Sequence, residues 1–215
     1  MKKTLSYILA IVVCLATLCG CGDTPSGGQT TDGPRDSVML RNALGMQTTD
    51  PADTNETDVL TVNEQIYEGL YTLDESGGGY QPCLAKQIDI SDDATVYTIT
   101  LQDGVKFHNG ETLKASDVVF SYQHFMDNPK YNSYTDMIEK VEALDDSHVV
   151  ITIARPYSPI LHTFFKIKIL SEKEVTSQGS DFGTIANLAG TGPYYMDAET
   201  YRPNSGWTLY AFEDY

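Results

Sequence analysis

An α/β fold, with mixed sheets and separate helices (α+β in its local pairing), follows from three patterns in this 215-residue chain. First, apolar and polar residues alternate in two pairs of short segments. Ile88 and Ile90 precede Tyr97, Ile99 and Leu101, and Val141 precedes Val149, Ile151 and Ile153. A period of two marks strands with one buried face. Second, each pair is joined by an acidic turn, Ser91-Asp92-Asp93 and Asp145-Asp146-Ser147, whose short side chains can bond their own backbone. Third, Val118, Tyr122, Phe125 and Met126 between the hairpins share one face at helical spacing.

In chain order, Lys2 and Lys3 precede an apolar run over residues 8–18, which ends in Leu18-Cys19-Gly20-Cys21. A basic start, a short apolar core and a small residue before the break describe a secretory signal over residues 1–20. The run is too short for a comfortable transmembrane span of about 20 residues. The ending resembles a lipobox, so Cys21 is expected to be the first mature residue and to carry lipid. Two acyl chains give the stable attachment that one cannot. Residues 21–36, rich in Gly, Ser, Thr and Pro, read as a flexible tether.

The folded part is expected over residues 37–215. Residues 37–44 read as a short strand, and Gly45, Met46, Gln47 and Thr48 open a loop that stops at Asp50-Pro51. Val59, Val62, Ile66 and Leu70 predict a helix over residues 57–68, with Gly69 as its stop. Three glycines, Gly77 to Gly79, form a turn; neither a following Lys-Ser/Thr nor a helix supports a phosphate cradle. Asp103-Gly104 and Asn109-Gly110 are turn dipeptides, and Ser116 is placed to cap the central helix with Asp117 in its first turn. Asn128-Pro129 ends that helix. Tyr131, Tyr134 and Met137 continue through a short helical piece. A proline-bracketed link at residues 155–159 leads to an apolar segment, a strand through Ile167 and Ile169, and a last strand candidate with Trp207, Leu209 and Tyr210.

The formal charge of −16 argues against nucleic acid and against electrostatic adhesion to anionic lipid, and an acidic solvated surface accounts for it. Of the four cysteines, cleavage leaves Cys21 and Cys83. No disulfide framework can be built from these two, and Cys83 reads as a packed small hydrophobe. His108, His124, His148 and His162 are scattered without metal-ligand spacing and read as solvated turn residues. No Gly-x-Ser-x-Gly elbow is present, so catalytic residues, metal and cofactor are all expected to be none.

Within this frame, DGVKFHNGETLKASDVVFSY at residues 103–122 resembles the signature region of the family 5 solute-binding proteins. These are the oligopeptide-, dipeptide- and nickel-binding receptors of ABC importers. Tyr67-Glu68-Gly69-Leu70 and Gly190-Thr191-Gly192-Pro193-Tyr194 resemble two further family motifs in the family's order, and the second hairpin resembles another. Gln102 departs from the usual Lys or Arg before Asp-Gly. The resemblance implies the first lobe of a two-lobed periplasmic-binding-protein-like fold, truncated before the second lobe, since members read on well past Tyr215. It also implies a smaller subdomain over about 76–160, with main-lobe segments over 37–75 and 161–215. Gly45, Met46, Gln47 and Thr48 are then the first ligand-lining candidates, and Tyr134 stands where some members place an aromatic ring over a bound peptide. The implied protein is an extracytoplasmic, lipid-anchored monomer that hands a peptide or similar small solute to ABC permease subunits; sensing or adhesion on the same scaffold is the alternative.

Overall fold

The structure is a computed structural model in which residues 48–54, 56–184, 189–197, 199 and 208–215 are described. The expected signal, tether and first strand, and Trp207, lie outside these residues.

The two alternating pairs form one four-stranded antiparallel sheet. β3 (Ala85–Ile90) and β4 (Val96–Leu101) make the first hairpin, and β5 (Ile138–Ala143) and β6 (His148–Ile153) the second. The order is β3-β4-β6-β5, so the two most regularly alternating strands lie at the centre. Tyr97 faces Ile151 and Ile99 faces Val149 across that central pairing. Their side chains are buried under α2 (Ala115–Met126), whose Val118, Tyr122 and Phe125 are fully enclosed. The edge strands bury little, and Ile90, expected to be half-buried, is 54% exposed, with no element among the described residues over that end of β3.

The start of α2 departs from expectation. The helix begins one residue before Ser116, and Lys114 is the capping position. Asp117 reaches back so that its Oδ2 accepts from the Lys114 N–H at 2.9 Å, the carboxylate half of a capping box. Oδ1 of the same carboxylate accepts from the Glu172 N–H at 3.0 Å. Asp117 thus ties α2 to α5 (Glu172–Gln178), a helix whose Ser171 cap accepts from the Glu174 N–H. Burial raises the Asp117 pKa above the ordinary carboxylate value, against those two backbone hydrogen bonds.

Around this sheet lie α1 (Thr57–Ile66), the small hairpin of β1 (Tyr71–Leu73) and β2 (Tyr80–Pro82), α3 (Asn132–Thr135), α4 (Ile160–Lys166), and the hairpin of β7 (Tyr194–Met196) and β8 (Leu209–Ala211). α1 ends at Ile66 rather than at Gly69, because Tyr67 turns extended and buries its ring. Gly69 serves a close approach instead: a Cβ there would stand 2.6 Å from the Phe164 carbonyl oxygen. Val59, Val62, Ile66, Leu170, Ala189 and Met196 form a second core beside the main one.

The central pairing sets a clear test of packing. Ile99→Ala is expected to cost about 2–5 kcal/mol by urea unfolding, as for a large buried aliphatic truncated in a dense core. The Tyr122 hydroxyl is buried without a hydrogen-bond partner among the described residues. Burying such a group costs about 1–3 kcal/mol, so Tyr122→Phe is expected to hold or raise stability.

Candidate functional site

Three segments far apart in sequence meet beside the end of α1. Gly192 N donates to the Ile66 carbonyl at 2.9 Å, and His108 N donates to Gly190 O at 2.9 Å. A Cβ at Gly190 would stand 2.0 Å from Ile66 O, and one at Gly192 2.6 Å from Gln65 O, so only glycine permits the approach. The His108 ring closes the clasp, with Nε2 at 2.8 Å from Gly192 O. Burial lowers its pKa and keeps the ring neutral, so Nε2–H donates. Phe212 packs edge-on against it at 4.9 Å.

Glu68 emerges next to this clasp and gathers three neutral donors. Thr191 Oγ1 lies at 2.8 Å from Oε2, Tyr215 Oη at 3.0 Å from Oε1 and Cys83 Sγ at 3.3 Å from Oε1. Together with Lys106 and Asp214 they line a cleft of about 270 Å³. Cys83 is half-buried, and desolvation together with the Glu68 charge pushes its pKa up to about 12, so the thiol is inert at neutral pH.

A second feature is the loop entering α1. Gly45, Met46 and Gln47 lie outside the described residues, as does Cys21. Thr48 is half-buried, with its Oγ1 accepting from the Asp50 N–H at 3.1 Å. The loop is held from several sides: Thr49 N donates to Gly183 O, Tyr67 Oη donates to Thr49 O at 2.8 Å, and Tyr131 Oη donates to the Pro51 and Thr54 carbonyls. His124 reaches it from α2, with Nε2 at 2.9 Å from Asp50 Oδ2 and the rings of Phe120, Phe125 and Phe182 around it. Burial disfavours the charged imidazole, but the Asp50 hydrogen bond and charge, with Asp127 and Asp53, outweigh it and raise the His124 pKa.

Tyr134 is half-buried at a cluster of rings. It lies 5.4 Å from His162 and 5.8 Å from Tyr131, with Tyr80 and Phe165 beyond His162. Tyr131 thus joins Tyr134 to the later part of the entry loop, at Pro51 and Thr54.

Three of the four histidines correct the solvated-turn expectation. His108 clasps backbone, His124 pairs with a carboxylate and His162 sits among rings; His148 alone stays at its turn, bonded to Asp145. α5 was not anticipated, although Ser171 followed at three residues by Glu174 is a cap signal in plain view. Among the described residues no cluster of three or more metal-ligating side chains occurs, and no helix is long and apolar enough to cross a membrane.

The arrangement is that of one lobe of a two-lobed α/β binding fold. Residues 79–215 match the family model described as bacterial extracellular solute-binding proteins, family 5 Middle, and the chain belongs to that family. It is similar to the glutathione-binding protein GsiB of Salmonella typhimurium (strain LT2), 33% identical over 167 residues, which cover 74% of this chain and 32% of the relative. Among solved structures it is similar to Listeria monocytogenes OppA bound to peptide, with a TM-score of 0.77 and 26% identity over 85% of this chain and 40% of the other. It is also similar to Campylobacter jejuni NikZ in complex with Ni(L-His), with a TM-score of 0.68 and 30% identity over 85% of this chain and 36% of the other. The chain spans about a third of the length of the curated relatives it matches.

Two outcomes follow from this geometry. Gly190→Ala forces a Cβ into a backbone oxygen that cannot swing aside, and is expected to cost ~3 kcal/mol or more in chemical denaturation. The His124–Asp50 pair stabilises the fold fully below the unfolded imidazole pKa of about 6.5, and its contribution fades as pH rises through the raised folded value. The melting-temperature deficit of His124→Gln is therefore expected to be largest near pH 5.5 and smallest above pH 8; a deficit independent of pH would contradict the pairing.

Proposed function

We propose that this chain belongs to an extracytoplasmic substrate-binding lipoprotein of an ABC importer, which captures peptides or a similar small solute for transport. The observation that carries the reading is the family match over residues 79–215, whose signature segment meets two other family motifs in one backbone clasp. Solved relatives of this chain hold a peptide in one case and Ni(L-His) in another, and the GsiB relatives are named for glutathione. All three solutes present free polar ends of amino acids, and that chemistry is the solute class proposed here.

In this reading Gly45, Met46, Gln47 and Thr48 line the solute from the main lobe, and the loop's attachments to Gly183, His124 and Tyr131 hold it at a fixed height. Tyr134 contributes a ring face on which a solute can rest. Closing against a second lobe would bury the solute from both sides, with ligand favouring the closed state by its differential affinity. One lobe encloses only one side, so this 215-residue chain alone is expected to bind peptides weakly or not at all. Cys21 anchors the protein by lipid at the outer face of the membrane and beside the permease.

Cells lacking the gene are expected to lose uptake of labelled short peptides. The intact gene restores uptake and detergent-phase partitioning of the product, whereas the Cys21→Ala gene returns the protein to the aqueous phase. Peptide uptake that is indifferent to the gene would overturn the transport reading, and unchanged partitioning of Cys21→Ala would overturn the anchor.

A further inference from the structure

The ring cluster that contains Tyr134 carries a feature that the clasp and the entry loop do not use. Beyond α4 the chain runs extended, and Lys168 forms an isolated antiparallel bridge with Gly69. Its side chain is 7% exposed. The ammonium stands 4.5 Å from the Phe165 ring centroid, and the Lys166 ammonium stands 5.3 Å from the same ring. Among the described residues Lys168 has no ion pair and no hydrogen-bond acceptor for its ammonium. Glu68, the carboxylate on the bridged segment, accepts from Thr191, Tyr215 and Cys83 and attracts Lys168 without forming an ion pair with it. Glu64 is exposed and forms no ion pair with it.

A buried charge left in this state is costly, and proteins normally pair or remove it. Burial accordingly lowers the Lys168 pKa to about 8, with Lys166 adding repulsion and Glu64, Cys83 and Glu68 opposing. The group still carries its proton at neutral pH, so it is a poorly solvated cation without a partner. On the other side of Phe165, the Tyr80 hydroxyl and Nδ1 of His162 share a hydrogen bond. Burial and the Lys166 charge lower the His162 pKa.

We propose that Lys168, with Lys166 beside it and the Phe165 ring against both ammonium groups, forms a subsite for an anionic group of the solute, a carboxylate. The carboxylate would supply the ion-pair partner that Lys168 lacks among the described residues, and the Phe165 ring would shield one side of the pair from water. This rests on the solute-capture reading and adds to it a sign of charge and a position.

The test uses the full 215-residue chain with its lysines labelled by reductive 13C-methylation. The probes are Ala-Ala-Ala and its C-terminal amide, followed by NMR at millimolar concentrations. The free acid is expected to bind about tenfold or more tightly than the amide and to move the Lys168 titration upward by about one unit. Lys168→Met is expected to erase the preference for the acid while melting at the same temperature or higher, because it removes an unpaired buried charge. Equal binding of acid and amide, with the Lys168 signal unmoved, would sink the subsite and leave solute capture standing. Binding of neither probe would likewise overturn the subsite, while the solute-capture reading stands or falls with the uptake assay. A Lys168→Met protein that melts several degrees lower would show the lysine to be a structural partner and would also overturn the proposal.

Discussion

Two glycine backbones resting on the carbonyls at the end of α1 join segments of this structure that lie far apart in the sequence. Gly190 and Gly192 approach Ile66 and Gln65 so closely that no side chain could stand between them, and His108 grips both glycines from the hairpin side. A buried carbonyl must find a donor, and here Ile66 O finds Gly192 N while Gly192 O finds the imidazole. The contact joins segments 66–70, 106–111 and 190–194, which explains why those three stretches are recognisable together. Segment 190–194 bonds to each of the other two and so brings them together. The same contact positions Thr191 over Glu68 and leads β7 away along α1.

The parts of the fold that were legible in the sequence are those decided by periodicity. β4 and β6 alternate without interruption, so their buried faces could be named before any contact was known. Helix ends were less legible because the groups that settle them compete. The central helix starts one residue before Ser116, with Asp117 bonding back to the Lys114 N–H, and Tyr67 ended α1 early because its ring finds a buried place and its hydroxyl a carbonyl. The histidines were misread for a related reason. Their partners lie 84 residues away for His108 and 74 for His124, and no local pattern encodes burial of that kind.

Of the candidate site, Thr48 and Tyr134 could be named only through the family resemblance. Neither residue type nor spacing marks a loop residue or a lone tyrosine as solute-facing. The structure adds how such a loop can be held: Gly183, Tyr67, Tyr131 and His124 attach to it from different directions, so its backbone is set by the surrounding core rather than by its own composition. An entry loop with few internal bonds needs such external bracing if it is to present backbone groups at a constant height.

Lys168 shows the opposite limit of sequence reading. A chain of formal charge −16 suggests repulsion of anions, yet that charge sits mostly on exposed side chains and is screened over a Debye length of about 8 Å at physiological salt. A buried ammonium against a ring is screened far less, because little water or salt reaches it. The long-range field and the short-range preference can therefore have opposite signs in one molecule. An acidic surface acts over the whole molecule, whereas a desolvated lysine acts only on a group that reaches its own position. The preference does not come from the lysine as a residue type, since Lys86 and Lys114, paired with aspartates in open solvent, offer a solute nothing comparable. It comes from the combination of burial, a bridged backbone and a neighbouring carboxylate whose hydrogen bonds are already committed elsewhere.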